Sequence, residues 1–375
     1  MLLDIVYNKL LSVISRYKDR KEKESYVSGI SGSYVKLTNK KALSGEQKKE
    51  IEDYFMKLLG VKVPLHWHQY FYSRTGRYFM NYIPTSEYKV NIVGRLNVYP
   101  LKRAYTDKNM TDLFLPFAPQ PKIYLKNMNG YFYFEGRPVS REEAVSLCSN
   151  LGEVIIKPSL TARGKGVAKH CLENGISKEK GIAVGKLLDS YRSDFLIQEC
   201  IRQHSGMAAL NPTSLNTIRI LTYRSDMEIK VLYSVVRIGR AGQVIDNESA
   251  GGISTYIDSD GKLGKFAYGA PGMDDVEYTD SGVCLHGYAL PSFDKAVNLV
   301  KQCHYQLPFF DIVAWDIAIN EEGNPVLIEF NMTPDLSQSA NGPAFGEFTE
   351  EIIGKAMSRK NTYSELGKNF MWKSF

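Results

Sequence analysis

The chain has 375 residues, and its 43% hydrophobic and 23% charged side chains are ordinary for a globular protein of two or three modules. The net charge of +6 is modest and lysines alternate with acidic residues, so the composition argues against nucleic-acid binding and suits small anionic partners. The five cysteines do not have the spacing of a zinc site. No apolar run reaches the roughly 18 residues of a membrane span, and the N-terminus lacks the apolar core of a signal peptide. We therefore expect a cytoplasmic protein with reduced thiols.

Residues 1–60 are predicted to form an N-terminal helical region. Apolar residues recur at helical spacing in its first segment, whose far end is basic. That helix could lie on a membrane surface near a glycan assembly site or, as is commoner, pack on the protein's own core. Residues 20–43 are polar and are predicted to be a linker or mobile loop. Ser44 is expected to cap a second helix that ends at Leu59.

Residues 61–115 are expected to form a mixed domain. The aromatic-rich and turn-rich stretch 66–100 is predicted to contain short strands and loops. Its rings could stack on a sugar, although inter-domain packing is the commoner use of such residues. Thr106 is predicted to open a helix that runs toward Phe117.

Residues 116–195 are predicted to form a first α+β subdomain. It begins with a hairpin around an Asn-Gly turn at 129–130, followed by a capped helix. A short buried strand then ends at Lys157 before a glycine-punctuated loop. A further helix is predicted over 178–190.

Residues 196–375 are predicted to form a second α+β subdomain. The pattern is mostly β from residue 214 to 268, and a helix is predicted over 291–305. Two apolar strands joined by a turn at 321–324 follow it. The whole chain therefore reads as α+β, with antiparallel sheets built from hairpins.

The strongest chemical signal lies in these last two strands. Glu329 and Asn331 are two residues apart, so strand alternation puts them on one face, and hairpin pairing brings Asp316 alongside. Oxygen ligands of this kind suit Mg²⁺. The alternative is a solvated sheet face, which the apolar neighbours disfavour because a buried carboxylate needs a partner or a metal.

The second signal is the strand end at Lys157 and the loop behind it. A lysine emerging from a buried strand can reach a phosphate as a point charge. Gly164 and Gly166 would let the loop backbone approach phosphate oxygens, and Lys165 adds positive charge. The loop matches neither the P-loop nor G-x-G-x-x-G, and an ordinary polar hairpin loop is the alternative.

Two arginines lie inside apolar β runs. Arg219 and Arg237 are candidates for bidentate binding of phosphate or carboxylate, because a lone buried charge is costly. A structural ion pair is the alternative. A polar, glycine-bearing loop follows Arg237 and suits the edge of a substrate. Its candidate residues are Asp246, Asn247, Gly251 and Gly252.

Taken in order, these pieces resemble the ATP-grasp superfamily. The run of residues 203–222, QHSGMAALNPTSLNTIRILT, is most similar to the branch called sugar-transfer-associated ATP-grasp, which is often linked with capsule and O-antigen gene sets. The resemblance covers about residues 60–350. The residues that carry it are Asp107, Lys108, Lys157, Glu199, Asn216, Arg219, Arg237, Asn247, Gly251, Gly252, Asp316, Glu329 and Asn331.

The resemblance implies an ATP-grasp fold, in which two α+β subdomains grip ATP. It implies that Asp316, Glu329 and Asn331 hold one or two Mg²⁺ ions, and that catalysis rests on Arg237, Lys157 and Arg219. It further implies nucleotide contacts at Lys108, Lys157, Gly164, Lys165, Gly166, Glu199, Cys200, Ile201, His204 and Asn216. The sequence departs from the family where an acidic ribose-binding residue is expected, since Gln203 and His204 stand there.

The resemblance also implies an ATP-dependent carboxylate–amine ligase that works through an acyl phosphate. Its partners would be a small-molecule or glycan carboxylate and an amine, with joining of an amino acid to an acidic sugar as the expected case. Peripheral contact with glycan assembly machinery is a further expectation. A kinase acting on a sugar hydroxyl and a non-catalytic ATP-binding module are the two alternatives.

Overall fold

The computed structural model describes residues 2–161, 164–242, 251–273 and 275–361. The α-helices of this part are α1 Leu2–Val35, α2 Gly45–Leu59, α3 His66–Thr75, α4 Thr85–Glu87, α5 Val93–Leu96, α6 Lys102–Thr106, α7 Thr111–Phe114, α8 Arg141–Cys148, α9 Val184–Tyr191, α10 Ser205–Ala208, α11 Phe293–Tyr305, α12 Gln338–Asn341 and α13 Thr349–Met357. A π-helix spans Tyr88–Ile92, and 3₁₀ turns span Tyr99–Leu101, Lys108–Met110 and Gly346–Phe348.

The strands fall into two antiparallel sheets. They are β1 Ile123–Met128, β2 Tyr131–Phe134, β3 Arg137–Val139, β4 Gly152–Pro158, β5 Ala168–Glu173, β6 Ile176–Ser177, β7 Ile182–Ala183, β8 Phe195–Glu199, β9 Thr217–Ser225, β10 Glu228–Ile238, β11 Ile253–Tyr256, β12 Ile312–Ile319 and β13 Pro325–Asn331. Within the described residues, the first sheet has the order β3-β2-β1-β8-β4-β5-β6-β7 and the second β11-β10-β9-β12-β13. The predicted α+β class is confirmed.

The first sheet is covered by helices α8 and α9. Side chains from alternate positions of its central strands pack with these helices in one apolar cluster, which includes Val154, Ile156, Leu187 and Phe195. Strand β8 pairs between β1 and β4, so this sheet reaches as far along the chain as Glu199.

The second sheet is buried on both faces. Ile218, Ile220 and Trp315 pack on one side with helix α11, whereas Tyr223 and Ile312 pack on the other with α2, α5 and α13. Every residue of β12 is buried, which explains its nearly continuous apolar sequence. On the face that packs against α2, α5 and α13, charged side chains replace the apolar ones over part of the sheet. This part of the sheet forms the candidate site.

A β-bulge interrupts the pairing of β12 with β13. Asp316 lies opposite Glu329, but the next residue, Ile317, lies opposite Leu327. Ile328 is therefore the extra residue of the bulge.

Helix α1 continues to Val35, so the prediction of a linker is wrong over residues 20–35 and holds only for the segment after the helix. Two physical features extend the helix. Arg20 pairs with Glu24 one turn away, and apolar residues including Tyr26 and Ile30 pack on an aromatic cluster around Trp67. Within the described residues, no helix is both long and apolar enough to cross a membrane.

The stretch 66–100 contains helices where strands were predicted, and that prediction is wrong. Trp67, Tyr70 and Phe71 recur at helical spacing and bury their rings in the same cluster as Tyr82. Tertiary packing on α1 thus outweighs the β-propensity of the aromatic residues.

The remaining local predictions are mostly confirmed. Ser44 caps α2 through a complete capping box with Gln47, and the Asn-Gly hairpin, the strand that contains Lys157 and the two strands joined by the turn at 321–324 form as expected. Strands β5, β6 and β7 of the first sheet were not predicted. The helix predicted over 178–190 begins only at Val184, because short strands occupy the preceding residues. The helix predicted from Thr106 is broken into a 3₁₀ turn and the short helix α7.

Candidate active site

Three charged residues lie side by side across the middle of the second sheet. Asp316 on β12 is in register with Arg219 on β9 and with Glu329 on β13. The Arg219 guanidinium donates two hydrogen bonds to the Asp316 carboxylate, Nε to Oδ1 at 2.8 Å and Nη2 to Oδ2 at 2.6 Å. This bidentate geometry fixes both side chains.

Arg237 on β10 approaches the same carboxylate. Its Nη1 lies 3.4 Å from Asp316 Oδ2, and both side chains are buried. Burial alone would raise the pKa of the Asp316 carboxyl, but Arg219 and Arg237 outweigh burial and hold that pKa below its ordinary value. Asp316 is therefore ionised in the folded protein, and it compensates the buried guanidinium group of Arg237 and the half-buried one of Arg219.

Glu329 and Asn331 face a cavity beside this row. The Asn331 amide nitrogen lies 3.5 Å from Glu329 Oε1, so the amide oxygen is left for other contacts. Two protein oxygen donors at a cavity wall fit Mg²⁺, which prefers few carboxylates together with phosphate oxygens and water. Asp316 lies next to them, but both of its oxygens already accept hydrogen bonds from Arg219. Each oxygen keeps a further lone pair.

Two lysines face these groups from the first sheet and its edge. Lys157 stands near the end of β4 and is only 7% exposed. Burial lowers its pKa, the Glu329 carboxylate opposes the shift and Lys108 adds to it, and the resulting pKa is about 8. Lys108 lies in the 3₁₀ turn, with its Nζ 3.9 Å from Glu329 Oε2 and donating to the backbone carbonyl of Thr161 at 2.6 Å.

The loop after Lys157 is held close to its own strand. Thr161 Oγ1 donates to the backbone carbonyl of Lys165 at 2.9 Å. Gly164 and Gly166 have φ values of 69° and 80°, which favour glycine. A Cβ on Gly166 would also lie 2.8 Å from Pro158 Cγ, so a side chain there would collide with the strand end.

A cavity of about 360 Å³ lies beside the charged row. Strands β9 and β13 of the second sheet line it together with Leu160 and Thr161, which follow β4, and the segments 102–111 and 332–335 close its far side. Its lining includes Lys108, Thr161, Arg219, Glu329 and Asn331. The arrangement offers cationic groups for phosphates opposite oxygen donors for a metal ion.

Comparison with known families identifies the chain. The family described as "Sugar-transfer associated ATP-grasp" matches residues 90–352, which is more than half of the sequence. The chain belongs to the sugar-transfer-associated ATP-grasp family. The resemblance inferred from the ordered motifs is thus confirmed. No curated protein matches the sequence.

Solved structures similar to this ATP-grasp chain are distant from it in sequence. D-alanyl-alanine synthetase A from Vibrio cholerae is 12% identical, with a TM-score of 0.41, and the match covers 68% of this chain and 64% of the synthetase. D-alanine–D-alanine ligase from Bacillus anthracis, solved with ATP, is 12% identical with a TM-score of 0.40, over 71% and 68% of the two chains. The chain therefore spans less than two thirds of the Vibrio synthetase.

The segment that the ATP-grasp resemblance assigns to adenine leads out of the first sheet. Glu199 is the last residue of β8, and its backbone N–H donates to the carbonyl of Lys122 at 2.9 Å. Cys200 and Ile201 follow in extended chain and are half-buried. Burial raises the pKa of the Cys200 thiol, so this residue is a neutral group in the segment.

The polar residues after this segment form a structural network in the ATP-grasp chain. Gln203 donates to the carbonyls of Asn211 and Ser214 and accepts from the backbone N–H of Asn216. The Asn216 amide is fully buried and donates to the carbonyls of Met207 and Asn211. The side chains of Gln203 and Asn216 therefore stabilise the conformation of the segment between them.

His204 has a similar local role. Its Nδ1 accepts from the backbone N–H of Gly206 at 3.0 Å and caps the short helix α10. The ring is half-buried, and its own backbone N–H donates to the carbonyl of Ile319. The cap fixes the orientation of the ring relative to β12.

The polar loop after Arg237 is described only in part. Asp246 and Asn247 lie outside the described residues. Gly251 has a φ of 92°, and the buried Gly252 leads directly into β11, which pairs with β10. The loop thus returns to the strand that carries Arg237.

Sequence reasoning missed one wall of the cavity. Lys89, Lys102, Thr333 and Asp335 line it, although none was singled out beforehand. Thr333 and Asp335 come two and four residues after Asn331, which is a signal that could have been used. Lys89 lies within the stretch 66–100, which was predicted to contain strands and loops, and Lys102 lies in α6 just after it, so their approach to the site had no sequence signal.

Proposed function

We propose that this ATP-grasp chain is an ATP- and Mg²⁺-dependent carboxylate–amine ligase. The observation that carries the proposal is the row of Arg219, Asp316 and Glu329 across one sheet, with Lys108 and the buried Lys157 close to the Glu329 end of the row. Cations aimed at phosphates opposite oxygen donors for a metal ion are what phosphoryl transfer requires. Membership of the family supports the use of ATP.

In the proposed reaction, a carboxylate oxygen attacks the γ-phosphorus of ATP and ADP leaves. The amine then attacks the carbonyl carbon of the acyl phosphate, and phosphate leaves as the amide forms. Lys157 and Lys108 would bind the phosphates, and the loop with Gly164, Lys165 and Gly166 would cover them and exclude water. Glu329 and Asn331, with Asp316 behind them, would hold Mg²⁺, which supplies charge neutralisation between phosphate oxygens.

The proposed roles of the two arginines follow from their positions. Arg219 lines the cavity and is held rigidly by Asp316, so it can orient the reacting carboxylate without reorganisation. Arg237 lies deeper and would stabilise negative charge on the tetrahedral intermediate. Loss of one such donor typically costs about 10²–10³ in rate. Gly251 and Gly252, with Asp246 and Asn247, would border the substrate.

The adenine is proposed to lie against the segment from Glu199 to Ile201, with His204 near the ribose. Asn216 would act through the network that holds this segment. We propose that two subdomains bind ATP between them, the first formed by residues 116–195 and the second by residues 196–375. The N-terminal helical region 1–60 and the mixed domain 61–115 precede them. A role in surface-polysaccharide synthesis, joining an amine to an acidic sugar, rests on the family description.

The direct test is an ADP-release screen that combines uronic acids and sugar nucleotides with amino acids. A ligase should release ADP only with both substrates, and mass spectrometry should find the acid and amine joined with loss of water. Glu329→Gln should lose this activity, whereas Glu322→Gln, in the exposed turn of the same hairpin, should keep it. A phosphorylated alcohol formed without an amine would instead identify a kinase. Binding of Mg-ATP without turnover across the panel would favour a non-catalytic module.

A further inference from the structure

The far end of the cavity, beyond Asn331, carries two lysines of unequal environment. Lys89 lies in the π-helix, where its Nζ donates to the carbonyls of Thr333 and Pro334 and pairs with Asp335 Oδ1 at 2.9 Å. Lys89 is therefore neutralised by a carboxylate. Its contacts also fix the backbone that follows β13.

Lys102 has no carboxylate in direct contact. Its Nζ donates to Thr333 Oγ1 at 2.5 Å and lies 5.2 Å from the centre of the Tyr99 ring, and within the described residues no carboxylate lies within 4.0 Å of it. Half-burial and the neighbouring Lys89 lower the pKa of Lys102, and the more distant Asp335 carboxylate opposes the shift. A partly desolvated ammonium group that lines a cavity and has no directly paired carboxylate is suited to an anionic ligand.

Lys102 and Arg219 line the cavity from different elements. Arg219 lies on β9 within the second sheet, whereas Lys102 lies on α6 and is held by Thr333, beyond the end of β13. A molecule whose reacting carboxylate lies at Arg219 can present a second anionic group to Lys102 through the cavity, since Arg219, Asn331 and Lys102 all line it.

We propose that Lys102 binds a second anionic group of the acid substrate, so that the acid is at least a dianion, bearing a carboxylate or a phosphate besides the reacting carboxylate. This inference rests on the proposed ligase function. The lysine donates charge-assisted hydrogen bonds to that group, while Lys89 and Asp335 keep the surrounding backbone in place. Helix α6, which precedes the first sheet and carries Lys102, thereby contributes to substrate specificity.

The test is calorimetric titration with the magnesium complex of AMP-PNP, a non-hydrolysable ATP analogue, already bound. The probes are acetate, succinate and 2-phosphoglycolate at constant ionic strength. Succinate and 2-phosphoglycolate, which both carry a second anionic group, should bind more tightly than acetate, and their relative affinities tell a carboxylate from a phosphate preference. Lys102→Met should weaken dianion binding roughly tenfold or more, leaving acetate unchanged. Lys102→Arg should restore most of it.

Arg103→Met is the matched control, because Arg103 is the exposed cationic neighbour on the same helix and should have no effect. Thermal unfolding gives a second readout. Removing a partly buried charge that has no carboxylate in direct contact should raise the melting temperature of Lys102→Met, whereas loss of a merely structural lysine would lower it.

Three results would overturn the inference. Equal dianion affinity in Lys102→Met and the wild type, with AMP-PNP binding intact, would refute the second subsite alone. Loss of AMP-PNP binding in Lys102→Met would assign Lys102 to the nucleotide. Failure of the wild-type chain to bind AMP-PNP at all would refute the proposed function, and the inference would fall with it.

Discussion

Nucleotide binding should weaken as the pH rises through the pKa of Lys157. Burial and the nearby Lys108 lower this pKa to about 8, from an ordinary value of 10.5. Only the ammonium form attracts a phosphate, so the affinity for Mg-ATP should follow the protonated fraction of the free protein. That fraction is about 0.9 at pH 7, about 0.5 at pH 8 and about 0.1 at pH 9.

The expected change is therefore a roughly tenfold loss of affinity between pH 7 and pH 9. Binding at pH 8 should also take up about half a proton, because the bound phosphate restores the ammonium form. Titration calorimetry with Mg-AMP-PNP, in two buffers of different ionisation enthalpy, measures both quantities without turnover.

Lys157→Arg supplies the decisive comparison, since a guanidinium stays charged throughout this range. Its affinity should be nearly constant from pH 7 to pH 9, and its proton uptake should vanish. Lys165→Arg, an exposed change in the adjacent loop, should keep the wild-type decline. A parallel decline in Lys157→Arg and the wild type would show that another group titrates, and the reasoning from burial would be wrong.

Three further predictions concern stability and the loop. Asp316→Asn should cost about 3–5 kcal/mol of unfolding free energy in urea titrations, because Arg219 is left buried without its counter-charge; a loss below about 1 kcal/mol would contradict this. Gly166→Ala should raise the KM for ATP more than Gly130→Ala changes it, since both have positive φ but only Gly166 lacks room for a Cβ; equal KM values would remove the steric argument. Burial lowers the pKa of His304 from 6.5 to about 3, so this side chain stays neutral in the folded protein. The unfolded chain takes up a proton below pH 6.5, and the free energy of unfolding should therefore fall by about 2 kcal/mol at pH 5. His304→Gln should abolish that share of the difference between unfolding free energies at pH 7 and pH 5, and an unchanged difference would refute it.

The second sheet and its charged row could be foreseen because the signal is local. Asp316, Glu329 and Asn331 interrupt two otherwise apolar strands joined by a short turn, so pairing follows from chain connectivity. Arg219 could be named as a buried charge needing a partner, but not as the partner of Asp316. That pairing depends on the register of β9 against β12, which lie more than 80 residues apart in the sequence.

The N-terminal half shows where local patterns fail. Polar residues 20–35 were expected to be a linker, yet they continue a helix, because one face packs on rings contributed by Trp67 and its neighbours. The rings in turn were expected in strands. Each segment is helical because the other covers it, so neither pattern is sufficient when considered alone.

The bulge at Ile328 separates two phases of one strand. Before it, odd-numbered Leu327 points into the apolar core; after it, even-numbered Phe330 does so, which turns Glu329 and Asn331 toward the cavity. If Ile328 instead paired regularly with Asp316, Glu329 would lie opposite Trp315 and its carboxylate would point into the core. Deleting Ile328 would keep Glu329 opposite Asp316, because the strand would then alternate regularly from Leu327 onward. The placement of the Glu329 carboxylate therefore depends on the backbone pairing at one neutral residue as well as on the presence of the carboxylate itself.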